Sequence, residues 1–270
     1  MDILVCTDGS NSSLQSADLI ARLSFPTTSR ITLLGVREKI SDVEKLTSSM
    51  DMLEHRLGKK YTVTRKLRAG IPSEEILAEA LEGPYDLVAV GGGGQLGLLH
   101  PKIGSTTSNL ARRLHTHFLV SRNIPEQISK ILICIGAESP SSETIPLGGA
   151  WIANTSAQVG LLHVTQAQKS ASISGMKAEG SLKTEPAGRD AILEQASQQL
   201  MDTGNKNEII PHLRQGLVVE EALKELSEGG YQLLVVGAHY QPGADRWQGA
   251  LFDDITDQLL NRSTCSVLII

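Results

Sequence analysis

Residues 82–91 read EGPYDLVAVG, and residues 228–237 repeat them 146 positions later as EGGYQLLVVG. In both copies a glycine-containing turn leads into a short apolar run that ends on a glycine. Such a run, bounded by turn residues, is typical of a strand that is buried on both faces of a parallel sheet. Its repetition predicts that the chain contains two copies of one α/β unit.

Two earlier repeats show how the copies are spaced. ILVC at residues 3–6 recurs as ILIC at 131–134, and LLGV at 33–36 recurs as LLHV at 161–164, each 128 positions later. Because the offset then grows from 128 to 146, the second copy holds 18 additional residues between its second and third strands. The stretch 166–189 is rich in Ser, Lys, Ala and Gly, and we expect it to form a flexible loop there.

Strand-like runs and helical patterns alternate along each copy. In the first copy, strands are predicted at 3–7, 31–36, 61–67, 86–90 and 118–121. The first helix is expected to be capped by Ser10 or Asn11 and to end before Pro26. Alternating strands and helices imply right-handed crossovers and a parallel sheet. The predicted fold class is therefore α/β, with two tandem doubly wound domains at 1–122 and 130–270, each a five-stranded parallel sheet flanked by helices.

The composition excludes several classes of partner. A formal net charge of −5 and an aromatic content of 3% argue against nucleic acids and anionic membrane surfaces as partners. No apolar run approaches the roughly 20 residues of a membrane span, and the opening MDILV is too short and too acidic for a signal peptide. Three cysteines without CxxC spacing are expected to be buried reduced thiols, which favours the cytoplasm: Cys6, Cys134 and Cys265.

Charge is distributed unevenly between the copies. Residues 1–125 carry a net charge of +2, whereas residues 126–270 carry −7. A polyanionic ligand would therefore find the better electrostatic environment in the first half.

A glycine-rich segment follows the predicted fourth strand, where residues 91–97 read GGGGQLG and residues 104–107 read GSTT. Glycine lets backbone N–H groups approach phosphate oxygens, and a helix that starts after Gly104 points unpaired N–H groups toward an anion. Ligands of doubly wound sheets bind beyond the carboxyl ends of strands, so Asp8 is expected to face this loop. A tight surface loop would use glycine as well, and the glycines alone leave that alternative open.

Two familiar phosphate-binding patterns do not fit this segment. No Walker sequence GxxxxGK[ST] is present, and a dinucleotide fingerprint would follow the first strand, where the chain reads TDGS. The spacing Gly91-x2-Gly94-x9-Gly104-Ser105 instead resembles the ATP-binding motif G-x2-G-x9-G-[S/T] of the universal stress protein family. The opening ILVCTDGS and the RAGIP at 68–72 are similar to family positions as well, and the resemblance covers both halves.

The resemblance implies the strand order 3-2-1-4-5 and an adenine nucleotide as the ligand. ATP, ADP or AMP would be the cofactor, with Mg²⁺ held through the phosphates as an option. The residues implied in binding are Thr7, Asp8, Val36, Val90, Gly91, Gly94, Gly104, Ser105 and Thr107. In this assignment Asp8 contacts the ribose, Val36 holds the adenine edge through its backbone and Val90 lines the base pocket. Gly91, Gly94, Gly104 and Ser105 would hold the phosphates, with Thr107 as an optional further contact.

Structural roles are open for several of the same residues. Asp8 could cap the first helix, and Val36 and Val90 could simply belong to the core. Lys102 could reach a phosphate, but we favour its interpretation as an ordinary lysine of a solvated loop.

The second copy departs from the motif. Gly136 stands where the first copy has its aspartate, and Tyr240 replaces the second glycine of the motif. Asp253 and Asp254 stand near the position of the Gly-Ser pair, where two carboxylates would repel phosphates. We therefore predict that the second domain does not bind ATP. An alternative use of Glu138, Asp253 and Asp254 is a cation site.

A non-binding second domain would serve as a partner for the first. Members of the family commonly pair through the edge of the fifth strand, so the tandem chain resembles such a dimer made covalent. Pairing of 118–121 with 267–270 would hide two sheet edges from solvent. The resemblance also leaves a further homodimer of whole chains as an expectation.

Three functions fit this sequence: a nucleotide-binding regulatory protein of the stress response, a slow ATPase or self-phosphorylating protein, and an interaction scaffold that binds no nucleotide. Enzymatic activity is disfavoured, because no serine has a recognisable base and orienting group. No two histidines have the spacing of metal ligands, and His115 and His117 are expected at the surface.

Overall fold

The computed structural model describes residues 1–92, 103–136, 143–165, 186–237 and 254–270. Strands and helices alternate through these ranges. Their bounds are β1 (Asp2–Thr7), α1 (Asn11–Arg22), β2 (Arg30–Arg37), α2 (Asp42–Leu57), β3 (Thr62–Ala69), α3 (Pro72–Glu82), β4 (Leu87–Gly91), α4 (Ser105–Arg113), β5 (His117–Ser121), β6 (Lys130–Ile135), α5 (Thr144–Ile152), β7 (Gln158–Thr165), α6 (Pro186–Asp202), β8 (Ile209–Gln215), α7 (Val218–Gly229), β9 (Leu233–Val236), α8 (Asp254–Arg262) and β10 (Ser266–Ile269).

All ten of these strands form one sheet in the order β3-β2-β1-β4-β5-β10-β9-β6-β7-β8. Each half on its own has the order 3-2-1-4-5 with parallel pairs, which confirms the predicted fold for both copies. The halves join where β5 pairs antiparallel with β10, with Val120 opposite Val267 and Phe118 opposite Ile269. The predicted pairing of the two fifth strands is confirmed by this register.

The strands are apolar on both faces because helices cover both sides of the sheet. Ile3 and Val5 of β1 point into one cluster of buried side chains, together with residues of α1 and α2. Leu4 and Cys6 point to the other side, into a cluster shared with α3 and α4. Both clusters contain residues of both halves, so each core layer is continuous across the β5–β10 junction.

Helices cover the junction as well. Trp151 of α5 packs edge-on against Phe25 and His117 of the first half, with ring centroids 5.3 Å and 5.4 Å apart. The Trp151 carbonyl also accepts a hydrogen bond from the Ser24 N–H at 2.6 Å. His117, which was expected at the surface, is half-buried in this contact, whereas His115 is exposed.

Two other expectations are corrected. Helix α6 begins at Pro186, so the last residues of the stretch 166–189 are helical, whereas residues 166–185 lie outside the described ranges. The three thiols are unpaired, but Cys134 is only partly buried, in contrast to Cys6 and Cys265. Burial raises the pKa of both Cys134 and Cys265 to about 12, which keeps these thiols protonated and unreactive.

A buried carboxylate fastens α3 to the outer strand β3. Glu79 is only 3% exposed and accepts from Lys66 at 2.5 Å, from Tyr85 at 2.6 Å and from Arg68 at 2.8 Å. Burial alone would raise the pKa of Glu79, but the hydrogen bonds from Lys66, Tyr85 and Arg68 outweigh it and lower that pKa. The second half repeats the arrangement around Glu225.

Replacing Glu79 by glutamine should lower the free energy of unfolding at pH 7 by about 1–3 kcal/mol, because three donors lose a charged acceptor. The lowered pKa means that the carboxylate contributes stability above the ordinary glutamate pKa of about 4.3, and that this stability is lost as pH falls further. Denaturant unfolding at pH 7 and pH 3 checks this, since the difference between wild type and variant should shrink at pH 3. Glu194→Gln on the exposed face of α6 is the control, and an equal effect of both substitutions would contradict the assignment.

Candidate functional site

A cleft lies at the carboxyl ends of β1 and β4. β1 pairs with β2 on one side and with β4 on the other, so the strand order reverses at this point. The crossover helices leave to opposite faces of the sheet there, which opens a crevice between them. The cleft has a volume of about 270 Å³ and is lined by Cys6, Thr7, Asp8, Ser12, Ser13, Val36, Glu38, Pro72, Ile76, Val90, Gly91, Gly104, Ser105, Thr106 and Thr107.

The β1–α1 turn forms one wall, and a buried hydroxyl fixes its shape. The Oγ1 atom of Thr7 lies 2.8 Å from Ser13 Oγ and 2.6 Å from Ser49 Oγ, and it accepts from the Gly9 N–H at 3.1 Å. Thr7 therefore lines the cleft as expected, but its hydroxyl is already engaged in holding the turn against α1 and α2.

Asp8 is exposed at the mouth of the cleft. Its Oδ1 atom accepts from the backbone N–H of Ser10 at 2.9 Å and from the Ser10 hydroxyl at 2.5 Å. Partial desolvation by the surrounding protein atoms raises the pKa of Asp8 even though the residue is exposed at the cleft mouth. The hydrogen bonds outweigh this effect, so its pKa lies below the ordinary value and the group is ionised at neutral pH. Ser10 is the N-cap of α1, accepting from the Ser13 N–H at 3.3 Å, so the capping role considered for Asp8 belongs to its neighbour.

Gly91 brings the end of β4 against the first turn of α1. A Cβ atom at this position would lie 2.5 Å from the carbonyl carbon and oxygen of Ser12 and 2.6 Å from the Ser13 nitrogen. These are backbone atoms, which cannot rotate away, so only glycine fits this contact. The glycine thus sets how closely the two walls of the cleft approach.

The N-terminus of α4 forms the opposite wall. Gly104 is the N-cap, in an extended conformation and without a side-chain cap, and Ser105 begins the helix. The first N–H groups of a helix have no intrahelical acceptor and carry the positive end of the helix dipole. Thr107 is buried, with its hydroxyl 3.5 Å from the Gly91 carbonyl, and joins α4 to β4.

The remaining wall is mainly apolar, with Glu38 at its edge. Val36, the penultimate residue of β2, is partly exposed, and Val90, the penultimate residue of β4, is 5% exposed. Val90 also belongs to the core cluster beneath the cleft, so it is both a core residue and a residue that lines the cleft. Pro72 and Ile76 of α3 complete this wall.

Eight of the nine residues implied by the motif lie around this one cleft, and Gly94 lies outside the described residues, as does Lys102. Sequence reasoning did not assign seven other lining residues to the site: Cys6, Ser12, Ser13, Glu38, Pro72, Ile76 and Thr106. Most of these residues lie close in sequence to Asp8, Val36 or Ser105, and that closeness was the only signal in the sequence that could have identified them.

The corresponding region of the second half differs in its chemistry. β6 leads into Gly136 where β1 leads into Asp8, and α8 begins with Asp254 where α4 begins with Ser105. Tyr240 lies outside the described ranges, as do Glu138 and Asp253, two of the three carboxylates of the alternative cation site. Within the described residues no group of three potential metal-ligating side chains occurs.

The strand order and the crevice define a tandem doubly wound α/β protein with a ligand-sized cleft at the switch point of its first half. A family model described as the universal stress protein family matches residues 1–122 and, a second time, residues 127–270. The chain therefore belongs to the universal stress protein family.

Solved structures share the tandem arrangement at low sequence identity. A universal stress protein from Archaeoglobus fulgidus DSM 4304 is 13% identical with a TM-score of 0.69, covering 99% of this chain and 97% of that one. A putative universal stress protein from Pseudomonas aeruginosa UCBPP-PA14 is 16% identical with a TM-score of 0.68, covering 100% and 92%. Comparison with curated protein sequences finds no match.

The fold alone does not decide the function. The cytoplasmic domain of a prokaryotic cation chloride cotransporter is 10% identical with a TM-score of 0.59, covering 99% of this chain and 94% of that one. None of the helices in the described ranges has the length and apolarity needed to cross a bilayer. Function has to be argued from the residues of the cleft.

Proposed function

We propose that the first half binds an adenine nucleotide, ATP, ADP or AMP, in the cleft between β1 and β4. The proposal rests on the arrangement of the three walls of the cleft. Two polar walls, the β1–α1 turn and the N-terminus of α4, face each other, and a mainly apolar wall lies between them. The uncapped N-terminus of α4 faces the ionised Asp8 turn, and Gly91 holds the two within one small crevice. A nucleotide has the matching sequence of parts: an apolar base, a ribose diol and an anionic phosphate chain.

Each part of the ligand has a complementary surface in the cleft. The base would lie against Val36 and Val90, with the backbone at Val36 contacting its edge. The ribose hydroxyls would donate to Asp8, because an ionised carboxylate is an acceptor only. The phosphates would accept hydrogen bonds from Gly104, Ser105 and the first turn of α4. Mg²⁺, where present, would be held through the phosphate oxygens.

The second half is proposed to bind no nucleotide. Gly136 supplies no carboxylate for a ribose, and Asp254 places a negative charge in the first turn of α8. That charge suits the helix dipole but repels phosphate oxygens at the position where the first half offers Ser105. The second half would then act as the fixed partner of the binding half.

A regulatory role in the stress response follows if nucleotide occupancy changes the shape of the first half relative to its partner. We assign no catalytic step to the cleft. A homodimer of whole chains would need a surface other than β5, since that edge is paired with β10. The cytoplasmic location expected from the thiols belongs to the same proposal.

Calorimetric titration of ATP, ADP and AMP into the full chain tests the proposal. We expect one site per chain, and we expect Asp8→Ala to weaken ATP binding by about 10–100-fold, because a hydrogen bond to a charged group contributes roughly 1.5–3 kcal/mol. Asp51→Ala is the matched control, since Asp51 is exposed on α2 and pairs with Arg65 away from the cleft. Two sites per chain, or unchanged affinity of the Asp8 variant, would contradict the assignment.

A further inference from the structure

Arg122 is a buried cation at the junction of the two halves. It follows β5 directly and is only 6% exposed, yet within the described residues no carboxylate lies within ion-pair distance of it. Burial lowers the pKa of the guanidinium to about 10, so it remains charged at neutral pH. A buried charge needs polar compensation, because leaving it unpaired costs several kcal/mol.

The compensation comes from the second half. Arg122 Nη1 donates to the carbonyls of Leu260 at 2.8 Å and Ser263 at 2.7 Å, at the C-terminal end of α8. That end of a helix carries unpaired carbonyls and the negative end of the helix dipole. The backbone of Arg122 is fixed too, since its N–H donates to Ser266 Oγ and its carbonyl accepts from the same hydroxyl, both at 3.0 Å.

The other side of Arg122 packs against the glycine segment of the cleft. A Cβ atom on Gly92 would lie 2.4 Å from Arg122 Cγ and 2.7 Å from Arg122 Nε. Gly92 directly follows Gly91, which lines the cleft, and its N–H donates to the Ser121 carbonyl at 2.8 Å. Gly92 does not adopt a left-handed conformation, so glycine is required here by the space that the Arg122 side chain takes.

These contacts form one chain of residues from α8 to the cleft. We propose that Arg122 is a positioning residue for nucleotide binding: anchored by the second half, it fixes Gly91 and Gly92 and thereby the phosphate side of the cleft in the first half. The inference rests on the proposed function and deepens it. It gives the second half a part in nucleotide affinity even though that half carries no complete nucleotide motif.

The test compares ligands with and without phosphates on full-length variants. Arg122→Met keeps an apolar stem but removes the anchor, and we expect the affinity for ATP to fall about 10-fold or more while the affinity for adenosine stays within about twofold. Arg122→Lys should recover most of the ATP affinity, because an ammonium group can donate to the same two carbonyls. Arg112→Met is the matched control: Arg112 also reaches α8, through Asp257 at 3.5 Å, but is exposed.

Gly92→Ala tests the second link. The added methyl group should displace the Arg122 stem and weaken ATP binding selectively. The double variant with Arg122→Ala removes the atoms that the methyl group would meet, so it should bind ATP no more weakly than Arg122→Ala alone. Thermal unfolding of each variant monitors folding, and Gly92→Ala carries the test if Arg122→Met does not fold.

The outcomes separate the two proposals. Binding of no nucleotide by the wild-type chain overturns the proposed function and this inference together. Wild-type binding with unchanged ATP affinity in Arg122→Met, or with equal losses for ATP and adenosine, overturns the inference alone. Selective loss of phosphate-dependent affinity, with recovery by lysine, supports it.

Discussion

Replacing Gly91 by alanine is expected to reduce ATP affinity more than 100-fold and to lower the free energy of unfolding by about 1–3 kcal/mol. The added Cβ would lie 2.5 Å from the backbone of Ser12, so either β4 or the first turn of α1 must move. Movement of either one separates the walls that carry Asp8 and the N-terminus of α4. A small displacement is therefore expected to weaken binding strongly, because the contacts to the base, the ribose and the phosphates all depend on the distance between these walls.

Calorimetry together with denaturant unfolding measures both effects of this substitution. Gly237→Ala is the matched control, since Gly237 is the corresponding residue after β9 in the half that we propose binds no nucleotide. ATP affinity within twofold of wild type in Gly91→Ala would show that the approach of β4 to α1 does not determine the site. Loss of ATP binding in Gly237→Ala would indicate that the site lies in the second half, which would contradict the proposal.

Replacing Phe118 by alanine is expected to cost about 3–5 kcal/mol of unfolding free energy, the largest stability effect proposed for this chain. Phe118 is 1% exposed on β5, opposite Val88 of β4 and Ile269 of β10. Its ring belongs to a core cluster shared by both halves, so the cavity would weaken the sheet where the halves meet.

Denaturant unfolding followed by circular dichroism measures the loss for Phe118→Ala. The control is Leu81→Ala, because Leu81 is 76% exposed on α3 and its removal should change stability by less than about 0.5 kcal/mol. A loss below about 1 kcal/mol for Phe118→Ala would mean that the core at the junction collapses around the cavity or that the halves are not held together there.

The sequence predicts the fold of this protein well, because the chain is duplicated and each strand pattern can be compared with its second copy. EGPYDLVAVG and EGGYQLLVVG share an apolar run and its flanking turns, and both runs become central strands, β4 and β9. The pairing of the two fifth strands was predictable for a related reason, since each would otherwise leave an apolar edge open to solvent.

The cleft was predictable only where chain position and chemistry coincide. Asp8 directly follows β1 and Gly104 directly precedes α4 at the switch point, and their positions follow from topology. Pro72 belongs to the RAGIP segment that is similar to family positions, but that similarity did not place it at the cleft. Pro72 and Ile76 reach the cleft from the neighbouring crossover helix through a tertiary contact. Arg122 and Gly92 are equally invisible in sequence, because their contact depends on how α8 of the other half packs against β5.

The two halves that meet at the antiparallel β5–β10 junction belong to one polypeptide, and this covalent linkage fixes the stoichiometry of their pairing. Two separate chains would pair by mass action, so the fraction paired would depend on their concentration and identical partners would be interchangeable. Within one polypeptide the partners share a high effective concentration that dilution does not change. Each molecule therefore always contains one half with Asp8 and Ser105 and one half with Gly136 and Asp254 at the corresponding positions. Under the proposed function, every molecule would contain one binding half and one non-binding half.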